Sequence, residues 1–201
     1  RSYMACALVA AIGQQEVLVD KIGKIFERAD SNRRQTVAEG IGLLGGAANK
    51  LVPALLDEVR LGERGDKCIK AVAELGLTTA EDARIVLSVL NSHLSSYNRA
   101  AAAKALGSYN DDDVLSALLV VLEDEENVHV KSEIVRALGR FGPGRAFYTL
   151  PVIQKMLPEH WSDLKSIWLR ESPQRINADR QPLFFALMDA LVQITASSPE
   201  E

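Results

Sequence analysis

Cysteine, histidine and aromatic side chains are scarce in this chain, with two Cys, three His and 5% Phe, Trp and Tyr in 201 residues. Two cysteines make no disulfide framework. His93, His129 and His160 stand in unlike contexts, without the spacing a metal site needs. No apolar run approaches the roughly 18 residues of a membrane span, and nothing reads as a secretory leader, so a cytoplasmic location is expected. Neither sign of charge dominates. With 23 Lys and Arg against 27 Asp and Glu, the net charge of -4 argues against a dedicated nucleic-acid binder. Apolar residues are plentiful at 47%, enough for a sizeable core, which excludes intrinsic disorder. Strand-like alternation is absent over any useful length, so the fold class expected is all-α.

The chain repeats itself. Ala11-Ile12-Gly13 returns as Leu43-Leu44-Gly45, Glu74-Leu75-Gly76, Ala105-Leu106-Gly107 and Ala137-Leu138-Gly139, with glycines 32, 31, 31 and 32 residues apart. Four residues before each glycine stands Val9, Ile41, Val72, Ala103 or Val135, so one face of each helix is small and apolar. Each glycine falls where a helix calls for a left-handed C-terminal residue. A second amphipathic segment lies in each period. Its apolar positions are Val17, Leu18, Ile22, Ile25 and Phe26, then Leu51, Val52, Leu55, Leu56 and Val59, then Ile85, Val86, Val89 and Leu90, then Val114, Leu115, Leu118, Leu119 and Leu122. Thr79 and Asp111 to Asp113 suit helix starts, and Pro53 and Pro151 suit first turns. Each period therefore reads as outer helix, turn, inner helix and glycine.

The stretches Asn98 to Gly107 and Val130 to Gly139 resemble HEAT repeats, an armadillo-like family, and most of all the short bacterial units first associated with phycobilisome lyases. The resemblance extends from Tyr3 to about Val192 and implies a right-handed α-α superhelix, a solenoid of about six helix-pair repeats with a period of 31–32. Residues 1–201 then form a single HEAT-repeat domain. Its parts are a half repeat over 1–13, repeats over 14–45, 46–76, 77–107 and 108–139, and an atypical unit over 140–201. The half repeat leaves an apolar face uncovered, and position 1 is not methionine, so a segment of a longer chain is expected, with further repeats at the N-terminal end. In the last unit the next period end, at Val192, comes 53 residues after Gly139. Residues 158–181 therefore read as an inserted inter-helix loop holding Trp161 and Trp168, either a cap on the core or a partner-binding element.

Charges divide by helix set. The inner segments carry eleven cations against four carboxylates, whereas the outer segments between them sum to -10. Because inner helices line the concave face in HEAT arrays, the resemblance implies a mildly basic groove on an acidic back. Arg99 and Lys131 stand where the family commonly holds a basic residue paired with a turn aspartate, a structural role. Helical phase directs positions three, six and ten before each glycine away from the apolar stripe. Lys70, Tyr97, Lys104, His129 and Arg136 occupy such positions and form the candidate partner-binding set, with Ala101 and Glu133 in the same phase. Trp161 and Trp168 join the set through the insert.

Reactive chemistry is thin. The inner helices carry Arg99-Ala100 and Lys131-Ser132 where the HEAT-repeat hydroxylases hold His-Glu pairs for iron. Cys6 and Cys68 lie two repeats apart and suit small core positions. No glycine-rich loop follows a strand, so no phosphate cradle is expected, and Gly142-Pro143-Gly144 is a turn. The reading is a non-catalytic scaffold, without metal or cofactor, that binds an acidic or amphipathic segment of a partner protein in its groove. The resemblance also admits a bilin lyase-like protein, and more remotely a nucleic-acid-binding HEAT protein. Because Leu106 is placed in the core, Leu106→Asp should bury an unpaired charge and abolish the cooperative melt followed by circular dichroism.

Overall fold

The computed structural model describes residues 15–61, 65–92, 95–168 and 181–196. Among the described residues there are ten α-helices and no strand: α1 (Gln15–Arg28), α2 (Ser31–Gly42), α3 (Val52–Arg60), α4 (Asp66–Leu75), α5 (Ala80–Leu90), α6 (Ser96–Leu106), α7 (Asp112–Asp124), α8 (Val128–Arg140), α9 (Ala146–Trp168) and α10 (Gln181–Thr195). Short 3-10 turns at Gly45–Leu51 and Pro143–Arg145 lead into α3 and α9. The fold is all-α, of the HEAT-type α-solenoid class.

Local chemistry sets the helix starts. The Thr79 hydroxyl accepts from the Asp82 amide while the Asp82 carboxylate accepts from the Thr79 amide, a reciprocal cap at the head of α5 to which the Thr78 hydroxyl adds a further bond to Asp82. Asp111 accepts from the amides of Asp113 and Val114 at the head of α7, and Asn127 from those of His129 and Val130 at α8. Asp30 caps α2 through the Arg33 amide.

The chain divides into two compact units between Tyr109 and Asn110. In the first, α2, α4 and α6 pack side by side as an inner row, with α1, α3 and α5 against them as an outer row. Ile41, Leu55, Leu56, Ile69, Val72, Leu90 and Leu106 are fully or almost fully buried between the rows. In α6 the run Ala100 to Ala103 and Ala105 is buried as well. Alanine is the strongest helix former and the smallest side chain with a Cβ, so α6 holds its helix while its neighbours approach closely. In the second unit α8 packs along α10, α7 and α9 flank that pair, and Ile134, Leu138, Ile153 and Leu187 form its centre.

Several sequence-based expectations are corrected. Ile22 and Phe26 are buried as expected, but Val17 and Ile25 are exposed and Val19 is buried, so the apolar stripe of α1 is narrower than the sequence suggests. Ala101, expected to face outward, is buried because α6 is packed from more than one side. Gly45 and Gly76 do take left-handed φ values of 56° and 87°. Gly107 does not, with φ at -64°, and Gly139 lies inside α8, where Gly142 takes the left-handed role at 69°. Close packing explains Gly139: a Cβ there would stand 2.7 Å from Ala190 Cα and 2.9 Å from its Cβ. Pro151 sits in the second turn of α9, since the helix begins at Ala146 instead of near Leu150. That helix also continues through Pro158 to Trp168, so the front of the expected loop is helical, while 169–180 and the half repeat over 1–13 lie outside the described residues.

Gly139→Ala should therefore lower stability by about 1–3 kcal/mol through overpacking. Urea unfolding read by circular dichroism is the check, with the loss expected in the midpoint and not in the slope.

Candidate interaction surface

The inner row can present a continuous surface only because its helices lie close together. A Cβ at Gly42 of α2 would meet the Ala71 backbone of α4 at 3.2 Å. Above that contact opens a groove of about 490 Å³, lined by Glu39 and Leu43 on one side and by Lys67, Lys70 and Glu74 on the other. Leu43 is exposed on its wall. The floor is made of Gly42, Gly45 and Ala71, so the groove is shallow and its rim carries the charge.

Ion pairs step along this row. Glu39 of α2 pairs with Lys67 of α4, and Glu74 of α4 with Lys104 of α6 at 2.6 Å. Side-chain-to-backbone and side-chain pairs follow the same direction: Gln35 accepts from the Lys67 amide at 3.1 Å, and Asn98 donates to Asp66 at 2.6 Å. Lys70 Nζ lies 5.8 Å from the centroid of the Tyr97 ring, which is 66% exposed. Lys70, Tyr97 and Lys104 are thus brought onto one face of α4 and α6. In the second unit Arg136 pairs with Glu133 one turn earlier at 2.6 Å, and His129 is exposed in the first turn of α8. Lys104 and Arg136, whose helical phase predicts exposed cations, are only about a third exposed, at 33% and 31%, and each is engaged with a carboxylate. Trp161 and Trp168 fall within α9, but their side chains lie outside those described. Arg99 and Lys131 are both partly buried.

One polar cluster was not anticipated. Arg34 of α2 donates to Glu58 of α3 at 2.6 Å and to the carbonyls of Phe26 and Glu27 at 3.3 and 3.2 Å. Its guanidinium also lies over the Phe26 ring at 5.9 Å. It therefore satisfies orphan carbonyls at the end of α1 while neutralising a buried carboxylate in α3. The signal was present in the sequence, because Glu58 stands three residues after Leu55, on the edge of an apolar stripe where a charge needs a partner. Cys68 of α4 is buried close by, and burial, then the Glu58 charge, pushes its thiol up to about 12. It is an inert core residue. Cys6 lies outside the described residues. Among the described residues no three His, Cys, Asp or Glu converge as metal ligands would, and no helix is long and apolar enough to cross a membrane.

Residues 83–166 match the family model for HEAT repeats, which covers most of α5 through α9. That match, together with the helical repeats around it, supports a HEAT-repeat family. No curated protein and no solved structure matches it. HEAT repeats are in general protein-interaction scaffolds and typically carry no catalytic centre, and their substance is the two-row packing described above.

Arg34→Met should cost about 3 kcal/mol, the lower end for a broken buried pair, because it strands the Glu58 carboxylate at 9% exposure while Arg34 itself is 29% exposed. Thermal and urea unfolding of the variant would measure it, and the double change Arg34→Met with Glu58→Leu should recover most of the loss.

Proposed function

We propose that this protein is a non-catalytic scaffold whose inner-row groove receives an amphipathic segment of a partner protein. The observation that carries the reading is the groove between α2 and α4, with exposed Leu43 on one wall and Lys70 over Tyr97 beside the other. Leu43 offers an apolar contact. Lys70 offers a charge to a carboxylate of the partner, and the Tyr97 ring adds rigid, amphipathic contact area at low entropic cost. Lys104 supports the surface through its pair with Glu74 instead of acting as a free anion-binding charge, and in the second unit Arg136 is likewise engaged with Glu133. In the second unit His129, exposed in the first turn of α8, is a separate candidate contact.

Lys67 and Lys70 are balanced in the groove lining by Glu39 and Glu74. That balance favours a partner held by one carboxylate and an apolar edge over a strongly acidic tract. It also speaks against a nucleic-acid backbone, whose affinity comes from many unpaired cations. No specific feature of the groove favours a bilin.

A photo-crosslinking amino acid placed at Leu43 tests the reading in the native cell extract. The expected product is one crosslinked segment with an amphipathic helical pattern and an acidic residue, lost in Lys70→Glu and in Tyr97→Ala while thermal stability stays within about 0.5 kcal/mol, as for surface changes. Crosslinks that persist in both variants, or that map to unrelated sequences without an apolar face, would place the docking surface elsewhere.

A further inference from the structure

A second groove, of about 480 Å³, opens between α1 and α2, away from the inner-row site. Its walls are matched helical faces. Lys24, Ile25 and Arg28 come from adjoining turns of α1, and Arg33, Thr36 and Val37 come from adjoining turns of α2. The floor is apolar yet open: Ile25 is 56% exposed, although its neighbour Phe26 is buried. Three cations stand around that floor and no carboxylate lines it. Arg33 does touch Asp30 beside the groove at 3.4 Å, but both side chains are largely exposed, and pairs of that kind hold weakly. The inner-row groove has nearly the same size but a balanced lining, since its two lysines face two glutamates.

We infer that the α1/α2 groove docks an acidic amphipathic helix of a partner protein. Apolar side chains one turn apart on that helix cover Ile25 and Val37, and carboxylates on its flanks reach Lys24, Arg28 and Arg33. The two features together select the occupant. Residues 1–14 of this chain could supply apolar side chains, but Arg1 is their only charged residue, so they would leave the rim unneutralised. A nucleic-acid backbone would meet the cations and leave the apolar floor in water. A helix bearing carboxylates satisfies both, and partial desolvation on docking strengthens its charge contacts. The site is independent of the inner-row groove.

The test uses the full 201-residue chain and a fluorescein-labelled peptide of roughly 18 residues, long enough to hold helical structure. Leucines recur in it at every third or fourth position with glutamates between. A twin peptide carries glutamine for each glutamate. Anisotropy at low salt should show saturable one-to-one binding of the acidic peptide, about tenfold weaker binding of the glutamine twin, and a loss of about tenfold in Lys24→Glu with Arg28→Glu and in Ile25→Asp. Lys70→Glu should bind as the unchanged chain does. Circular dichroism should find all variants folded, because every altered side chain is exposed. The inference is overturned by equal binding of both peptides, by undiminished binding to the double variant, or by displacement of the peptide by duplex DNA at matched charge. Failure of the acidic peptide to bind at all overturns it too, and is the outcome if residues 1–14 already fill the groove.

Discussion

Helices can be laid side by side in a row only where neither puts bulk at the crossing. In this chain that constraint is met by small residues on the inner helices: Gly42 against Ala71, the alanines of α6, and Gly139 against Ala190. Each pair brings two backbones closer than any larger side chain would allow. The larger apolar residues, Leu55, Leu56, Val86 and Leu90, are then free to fill the space between rows from the outer side. Dispersion and burial do the stabilising, but the steric permission comes from the seam.

The same closeness decides what the charges can do. Side chains on neighbouring inner helices are near enough for Glu39 to reach Lys67 and for Glu74 to reach Lys104, so cations that look available along the sequence are used up between repeats. Charge counted by segment suggested a basic inner face. Charge counted by contact leaves Lys70, seated over Tyr97, as the lysine of the groove set apart from those rungs. The α1/α2 groove differs because carboxylates are missing from its lining, and the one that Arg33 touches, Asp30, is largely exposed beside it.

Much of the fold was legible in the sequence because packing repeats leave a period. The apolar positions four before each described glycine, Ile41, Val72, Ala103 and Val135, are buried, as are Val52, Leu55 and Leu56 in the outer row of the first unit and Val114, Leu115 and Leu118 in α7 of the second. What the period could not show is which glycine is there for its φ and which for its lack of a Cβ. Gly76 and Gly139 occupy the same place in the repeat and answer to different demands, one local and one set by a helix fifty residues away. The stripe of α1 was read too wide, since Ile25 and Val17 are apolar residues left at the surface while Ile22 and Phe26 are buried. Of the candidate surface, Lys70 and Tyr97 were found by helical phase. Arg34 was not, since its partner Glu58 lies in a different helix and only the three-dimensional arrangement joins them.

The spacing of the contacts also explains how the chain can carry a long insertion near its end. The seam between α2 and α4 joins residues 29 apart, Gly42 and Ala71, whereas the seam between α8 and α10 joins Gly139 and Ala190, 51 apart. Chain closure grows only with the logarithm of loop length, so the extra residues cost about 0.5 kcal/mol in closure entropy. Such an amount is smaller than the burial of a single leucine side chain. An array held together by neighbour contacts therefore places little thermodynamic restraint on what is spliced between its helices, and the connection between α9 and α10 can lengthen, shorten or change sequence while the seam that it spans stays closed.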